Sequence, residues 1–436
     1  MRDVLQRELR AETGAGDRSG NPHPAPSSLA EVSEVFTIGR VLWLAVGTFA
    51  IGTEGFMIAP MLPRIANDLS VSVSVAGQLM TAFSFCYAVS SPFTTALTSH
   101  LSRKRLLISA MVVFCAANLL AAAASGYWQL MGARILLAAS AGLYTPSAAA
   151  LAAALVAPTL RGRALAIVSG GLTVAIALGV PLGAVVGAHF GWRTTFIGVA
   201  LLAALAVIGL SCGISGRAGA DLPKTTLRQR LEATQVPGVP TAFLITIIWA
   251  TGTYAVYSFI APYLIAATGI SGAHVGAVMF LWGVSAAAGL ALGGTVNDRA
   301  GSPVAIRTAL AALAIALGSL SVFARVLSPV SALIPVLLAV VLWGLAAWGF
   351  YPGQQARLVS ITGVKHASVV LSLNASFMYL GFSLGTTLGS VVVAIDGPQH
   401  LGALGAACEV SALGLFVLTT RRSRRREGER QNPGKQ

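Results

Sequence analysis

Charged residues are the class in shortest supply: only 10% of the 436 residues are Asp, Glu, Lys or Arg, whereas 55% are hydrophobic. An average soluble domain has about 25% charged residues. A chain with so few charges cannot cover a water-soluble globule with polar surface. We therefore predict repeated apolar runs of about 20 residues, each long enough to cross a bilayer.

Several enzyme motifs are also missing. The chain has no G-x-x-x-x-G-K-[ST] phosphate loop, which excludes ATP hydrolysis by that route, and no H-E-x-x-H zinc motif. Its six histidines lie singly in the N-terminal tail and in loops or at span ends. A membrane enzyme is therefore the weaker alternative, and we predict no catalytic site, no metal site and no cofactor.

Cysteines are few, and their spacing resembles neither a disulfide framework nor a zinc site. All of them fall inside apolar segments, where we expect buried free thiols: Cys86, Cys115, Cys212 and Cys408.

The formal net charge of +14 comes from Lys and Arg in short loops and tails between apolar runs. This placement favours the anionic inner leaflet of a membrane as the partner of these charges, and not nucleic acid.

Twelve apolar runs follow one another along the chain, six on each side of a basic connection. We predict a disordered N-terminal tail, a six-helix bundle, a connecting loop, a second six-helix bundle and a basic C-terminal tail, at residues 1–37, 38–215, 216–240, 241–420 and 421–436. The predicted spans lie at about 38–62, 75–98, 106–125, 128–156, 163–188, 194–215, 241–267, 275–296, 305–326, 330–358, 368–395 and 401–420.

The distribution of Lys and Arg orients these spans. With the N-terminus inside, the five internal cytoplasmic loops contain thirteen of these residues and the six outside loops contain three: Arg64, Arg193 and Arg325. By the positive-inside rule, both termini are expected in the cytoplasm of a cell whose inner (plasma) membrane holds the chain.

The two halves repeat each other in sequence. GVPLGAVVG in the fifth span matches GFSLGTTLG in the eleventh, 202 residues on, and GLYTP in the fourth span matches WGFYP in the tenth, 206 residues on. Glycines at every fourth position allow helices to approach closely. Six spans followed by six in the same orientation indicate a parallel repeat, which is one of the transporter architectures.

A set of motifs in order on these spans carries a family resemblance. They are TEGFMIAPMLP in span one, ARILLAASAG in span four, GVPLG in span five, GGTVNDRAG after span eight, WGFYPGQQARL in span ten and SLNAS in span eleven. The chain resembles the major facilitator superfamily, and more narrowly the bacterial chloramphenicol- and arabinose-efflux-like permeases that run on proton antiport. The loop LTSHLSRKR departs from the family pattern because it lacks the Asp and the second Gly.

The resemblance implies an all-α membrane protein of twelve transmembrane helices in two six-helix bundles. It also implies export of a drug, sugar or metabolite by proton antiport through alternating access. Asp298 and Arg299 would form a conformational latch between helix ends, although a solvated loop pair is the alternative. Gly179, Pro181 and Gly183 would let span five bend and pack during the switch, and simple close packing is the alternative.

Glu54 lies in an apolar run, where an ionised carboxylate costs about 2.5–3.5 kcal/mol. It is fourteen residues from Arg40 at the inner end of its span, and Arg134 is six residues from Trp128 at the outer end of span four. At 1.5 Å per residue, the two charges lie at similar depth. We interpret them as a proton-coupling pair, since a carboxylate that alternates between surroundings can bind and release a proton. A static, structural ion pair is the alternative.

A second acid, Glu409 in span twelve, has no evident basic partner, and we favour a packing or protonated role for it. The resemblance places spans four, seven and ten around the substrate cavity, where aromatic walls would suit neutral or amphipathic organic compounds. The aromatic candidates, each of which also fits packed core or lipid contact, are Tyr144, Tyr254, Tyr257, Trp343 and Trp348. The amides Asn374 and Gln354 are the better polar candidates, because an amide that faces lipid would lack hydrogen-bond partners.

Other modes of transport remain open at this point. A proton symporter or a facilitator would import a small solute, and a scaffold or sensor would need long soluble domains, which the sequence lacks. We expect a monomer. One sequence does not separate drugs, sugars and biosynthetic products as substrates.

Overall fold

The computed structural model describes residues 27–97, 102–214, 227–363 and 366–431. The chain divides into two units, Met1–Gly39 and Arg40–Gln436. In the first unit, residues 27–39 are helical, and the rest of the predicted N-terminal tail lies outside the described residues. The second unit contains everything discussed below.

The described residues contain helices and turns and no strand. The α-helices are α1 Ser27–Asp68, α2 Val73–Leu97, α3 Arg103–Ala123, α4 Tyr127–Leu155, α5 Arg161–Val174, α6 Val180–Phe190, α7 Trp192–Gly213, α8 Leu227–Thr234, α9 Val239–Ser258, α10 Ile260–Thr268, α11 Ala273–Ala300, α12 Ser302–Val326, α13 Pro329–Thr362, α14 Ala367–Ile395 and α15 Leu401–Gln431. Twelve segments of these residues are long and apolar enough to cross a membrane. The predicted fold class is confirmed.

Two spans are interrupted next to a proline. The seventh, predicted as one helix over 241–267, is divided into α9 and α10 at Phe259, whose φ of −117° and ψ of 28° are not helical. Pro262 explains the break, because it has no N–H for the carbonyl four residues earlier and its ring clashes with that carbonyl. In the fifth span, a π-helical segment, Ala175–Gly179, joins α5 to α6 and ends two residues before Pro181.

The segments between and after the bundles contain more helix than the sequence prediction allowed. The connection predicted as a loop over 216–240 includes α8, and α15 continues through Arg421 to Gln431 into the predicted tail. All four cysteines are free. The expectation of burial is wrong for Cys212, which is exposed in the last turn of α7, and the other three are only partly buried.

The glycine motifs of the sequence repeat make equivalent helix contacts in the two halves. Glycines of span five pack on α1, and the matching glycines of α14 pack on α9, so closely that most of the added Cβ atoms would collide with the partner helix. The partners of Gly179, Gly183 and Gly187 are Thr53, Met57 and Met61, and those of Gly381, Gly385 and Gly389 are Ile247, Thr251 and Ala255, each 194 residues further on. The division into two bundles stays a prediction, but this repeated contact agrees with it.

Candidate functional site

Glu54 of α1 and Arg134 of α4 form an ion pair, and both side chains are completely buried. The Arg134 Nη1 group donates to Glu54 Oε1, and its Nε donates to the carbonyl of Leu79 at 3.3 Å. The guanidinium also lies 4.2 Å from the centre of the Phe83 ring. Glu54 Oε2 and Arg134 Nη2 have no hydrogen-bond partner. The pair is therefore buried and only half satisfied.

Two glycines beside Glu54 bring neighbouring helices close enough to exclude water. A Cβ at Gly52 would lie 2.8 Å from atoms of Leu172 and Ala175 in span five, and a Cβ at Gly55 would lie 3.5 Å from the Phe83 ring. The motif TEGFM thus supplies both the acid and one of the small residues that surround it with apolar groups. This local sequence explains why a carboxylate in mid-span has no contact with the surface.

Aromatic rings cover the pair from the second half of the chain. Tyr254 and Tyr257 of α9 stack on each other with ring centres 5.3 Å apart, and Tyr254 stacks on Phe382 at 4.1 Å. The Tyr257 hydroxyl donates to the Phe56 carbonyl at 3.0 Å, and the Tyr254 hydroxyl donates to the Gly55 carbonyl at 3.4 Å. Helix α9 is therefore hydrogen-bonded to the two residues that follow Glu54.

Two buried indoles extend this aromatic cluster. Trp343 lies with its ring centre 5.4 Å from that of Trp282, which is 4.9 Å from Tyr257. Neither indole N–H has a hydrogen-bond partner. The cluster thus offers apolar ring faces together with unsatisfied donors, a combination typical of sites for small organic molecules.

Two of the aromatic cavity candidates lie apart from this cluster. Tyr144 is buried between α4 and α1, and its hydroxyl donates to the Leu44 carbonyl at 3.2 Å. Trp348 lines a small cavity with residues of spans five and eight and lies 6.1 Å from the ring centre of Tyr351.

The amide candidates meet in a separate polar cluster around Thr246 of α9. The Thr246 hydroxyl donates to Asn374 Oδ1 at 2.7 Å and accepts from Gln354 Nε2 at 3.0 Å. Gln354 Nε2 also donates to the Ala242 carbonyl at 2.6 Å, while Gln354 Oε1 and Asn374 Nδ2 have no partner. Thr246 precedes Tyr254 by eight residues, which is about 12 Å along a helix, so these amides are not part of the Glu54 site.

The proposed switch residues fall in two places. Gly179 and Gly183 flank Pro181 at the end of the π-helical segment and contact α1 at Thr53 and Met57, on either side of Glu54.

The loop-motif acid and base, in contrast, have no ion-pair partner in the described structure. Asp298 and Arg299 are exposed in the last turn of α11, and Asp298 accepts only from the neighbouring Asn297 at 3.3 Å. Asp298 lies at the C-terminus of α11, which continues for two residues beyond it before Gly301, with φ of 82°, ends the helix.

A polar seam joins α2 to α14. Ser74 and Ser390 each donate a hydroxyl to the other's carbonyl, at 3.1 and 3.2 Å. Gln78 Nε2 donates to Ser390 Oγ at 2.9 Å, and Ser383 donates to the Thr81 carbonyl at 3.2 Å. The seam occupies the first turns of α2 and the last turns of α14.

The sequence prediction missed several residues of this site. Phe56 lies inside the quoted TEGFM motif and could have been included. Phe382 lies inside the quoted GFSLGTTLG motif and could likewise have been included, whereas Phe83, Trp282 and the Leu79 carbonyl lie in stretches without a charged residue to single them out. Only the rotation of each helix reveals which of its aromatic residues faces the pair.

Comparison with known proteins agrees with this architecture. The model of the Major Facilitator Superfamily matches residues 44–386. The chain belongs to this superfamily. Its relatives include the uncharacterized MFS-type transporter YbcL of Bacillus subtilis, 31% identical over 376 residues, which cover 86% of this chain and 94% of YbcL. The inner membrane transport protein YdhP of Escherichia coli K12 is 30% identical over 392 residues, which cover 88% of this chain and 96% of YdhP.

A chloramphenicol resistance protein of Streptomyces lividans is 34% identical over 258 residues, which cover 59% of this chain and 66% of that protein. The crystal structure of the human organic anion transporter MFSD10 superposes with a TM-score of 0.62 at 16% identity, over 90% of this chain and all of that one, and supports the fold alone. Family and relatives indicate a multi-pass membrane transporter of a small solute and not an enzyme.

Proposed function

We propose that this transporter exports a neutral or amphipathic small organic compound by proton antiport, with Glu54 as the proton carrier. The observation that supports this most directly is the half-satisfied ion pair between Glu54 and Arg134, which is fully buried. A purely structural pair would be expected to satisfy its remaining atoms, since buried polar groups without partners are rare. Here one carboxylate oxygen and one guanidinium nitrogen remain free.

The pair can couple protons to conformation because its members depend on each other. When a proton binds Glu54, the ion pair is lost and Arg134 becomes a buried cation with only the Leu79 carbonyl as a direct acceptor. Removing one member of a buried pair costs about 3–5 kcal/mol. This free energy drives Arg134 toward a new partner, which is either water in an open cavity or a polar atom of the transported compound. Proton and compound then compete for one site, as antiport requires.

The tyrosine contacts transmit this change to the other half of the chain. Tyr254 and Tyr257 donate hydrogen bonds to the carbonyls of Gly55 and Phe56, so a shift of α1 at Glu54 displaces α9 or breaks these bonds. Their hydrogen bonds are each worth about 0.5–1.5 kcal/mol. Bonds of this size hold one state but still break within a transport cycle.

The orientation of the chain in the membrane relates this structure to one state of the transport cycle. With both termini in the cytoplasm and the chain in the inner membrane, the α2–α14 seam lies at the outer end, and this state is closed to the outside. An exporter takes up its cargo from the cytoplasm in such a state, and an importer releases its cargo there, so the state alone does not set the direction. The direction of export is supported by the GVPLG motif and by the name of the chloramphenicol resistance relative. The protein would act as a monomer whose basic loops lie on the anionic inner leaflet.

The test uses proteoliposomes that contain a pH-sensitive dye and a concentration gradient of one compound at a time, including chloramphenicol. An antiporter moves protons against the direction of the compound, a symporter moves them with it, and a facilitator moves none. We expect Glu54→Gln to bind the compound but to abolish coupled proton movement. Asp396→Asn removes an exposed acid at the end of α14 and should behave as wild type. Proton movement at the wild-type rate in Glu54→Gln would overturn the proposal.

A further inference from the structure

A second acid is buried without an ion-pair partner among the described residues. Glu409 lies on α15, the span with the smallest buried share of the twelve candidate spans, 33%, yet its own side chain is 0% exposed. The next residue, Val410, is 59% exposed. A carboxyl on a helix with so much exposed surface could point away from the protein. Glu409 instead points inward, against α9.

A slot between two facing helices holds this carboxyl. A Cβ at Gly252 of α9 would lie 2.7 Å from Glu409 Oε1 and 2.8 Å from both the Cys408 Cβ and the Gly405 carbonyl oxygen. Thr253 donates its hydroxyl to Oε1 at 3.4 Å, a long hydrogen bond, and Oε2 has no partner. Gly252 makes room for a side chain that its surroundings only partly satisfy.

No described cation faces this slot. Helices α9, α12 and α14 pack against α15, and none of their described side chains forms an ion pair with Glu409. Arg357 of α13 also contacts α15, but its guanidinium lies over the Phe416 ring, 4.7 Å from the ring centre and two turns beyond the acid. From α12, Leu317, Gly318 and Ser321 contact α15 one to two turns before the acid, and none of these residues ionises. The titratable side chain that lines this slot beside Glu409 is the thiol of Cys408, the preceding residue.

An isolated carboxylate in apolar surroundings costs so much free energy that the group takes up a proton instead. We propose that Glu409 is a second proton-binding site, loaded in this conformation and emptied when α9 and α15 separate enough to admit water. The ligand is a proton, and the slot of Gly252 and Thr253 is its gate. This site does not depend on Glu54 being the coupling residue.

Helix α9 connects the two acids. Thr253 contacts Glu409, whereas the next residue, Tyr254, contacts the carbonyl of Gly55, which follows Glu54. The helix break at Phe259 separates α9 from α10. Helix α9 can therefore shift without carrying α10 along as part of one rigid helix. A displacement that frees Tyr254 from α1 therefore also changes the packing against Glu409. Linkage requires that protonation at either acid then affects the other.

The experiment is infrared difference spectroscopy of the full chain in lipid nanodiscs across a pH series. A protonated carboxyl in a dry site gives its own carbonyl band. We expect this band near neutral pH in wild type and in Glu54→Gln, but not in Glu409→Gln, which matches the neutral acid in size. The band should decrease as the pH rises and shift in D₂O, because the site exchanges protons with water.

A second variant identifies the band without replacing the acid. Thr253→Val removes the one hydroxyl that donates to the carboxyl and should shift the band to higher frequency. The proposal is overturned if Glu409→Gln leaves the spectrum unchanged. It is also overturned if the band neither titrates nor exchanges over the whole pH range in which the protein stays folded, since Glu409 would then be a permanently neutral packing group. Neither result bears on Glu54, whose role is tested separately by proton movement.

Discussion

The burial of the Glu54–Arg134 pair predicts a large difference between two chemically identical substitutions on the same helix. Glu54→Gln and Asp68→Asn each replace an acid of α1 by its amide, and each acid is paired with an arginine. The pairs differ in exposure: Glu54 and Arg134 are both 0% exposed, whereas Asp68 and Arg193 are 46% and 38% exposed. Only the first substitution leaves an arginine charge inside the protein.

The expected magnitudes follow from this contrast. Breaking a buried pair costs about 3–5 kcal/mol, because the remaining charge has no compensation. An exposed pair contributes about 0.2–1 kcal/mol. With an unfolding entropy of about 2.1 cal/mol/K per residue, a chain of 436 residues loses about 1 °C in melting temperature per kcal/mol. We expect Glu54→Gln to lower the melting temperature by about 3–6 °C and Asp68→Asn by at most about 1 °C.

The assay is thermal unfolding of each variant in the same lipid nanodiscs, followed by intrinsic tryptophan fluorescence. A double variant, Glu54→Gln with Arg134→Met, removes both charges and should recover most of the loss, since apolar replacement of a buried pair is often neutral. Equal shifts for Glu54→Gln and Asp68→Asn would refute the reasoning, because the inner pair would then be as well hydrated as the outer one. A double variant no more stable than Glu54→Gln would refute it as well.

Two further predictions concern the moving contacts. In a background without native cysteines, the double variant Ser74→Cys, Ser390→Cys should cross-link under mild oxidation, because these residues exchange hydrogen bonds across the α2–α14 seam. The cross-link should stop transport until a reductant is added. Transport by the cross-linked protein would show that the seam need not open. Gly179→Ala should destabilise the protein by about 1–3 kcal/mol through overpacking against Thr53. Gly183→Ala is the matched control, because its added Cβ lies an ordinary 3.4 Å from its neighbour, and equal thermal stability of the two variants would contradict the packing argument.

The spans and the buried pair were predictable from the sequence for the same physical reason. In a chain with 10% charged residues, every ionisable group inside an apolar run is conspicuous, and helical rise alone places Glu54 and Arg134 at one depth. The structure adds that they touch, which depth does not establish. The break at Phe259 was also accessible through Pro262, but the apolar run continues through it and hides the interruption.

Helix rotation and pairing were not predictable from local pattern. Tyr144 and Tyr254 are both buried tyrosines in mid-span, yet one bonds within the first half at Leu44 and the other reaches Gly55 from the second half. Spans that are apolar on all sides show no face that indicates their orientation. The same limit applies to Glu409, whose lack of an ion-pair partner among the described residues depends on which side of α15 meets α9.

The repeated contacts distinguish residues that serve the architecture shared by both halves from residues that serve function. Glycines that recur 202 residues apart build the same helix pairing in both halves, with partner residues that are 194 residues apart. The charges do not follow this repeat: the position equivalent to Glu54 is Ile248, and the sequence offset of 206 places Val340 opposite Arg134. A structural requirement of the shared architecture would be expected in both halves. Because the acid and the base each occur once, their high cost inside the membrane is better explained by an operation that the two halves do not share, such as binding a proton.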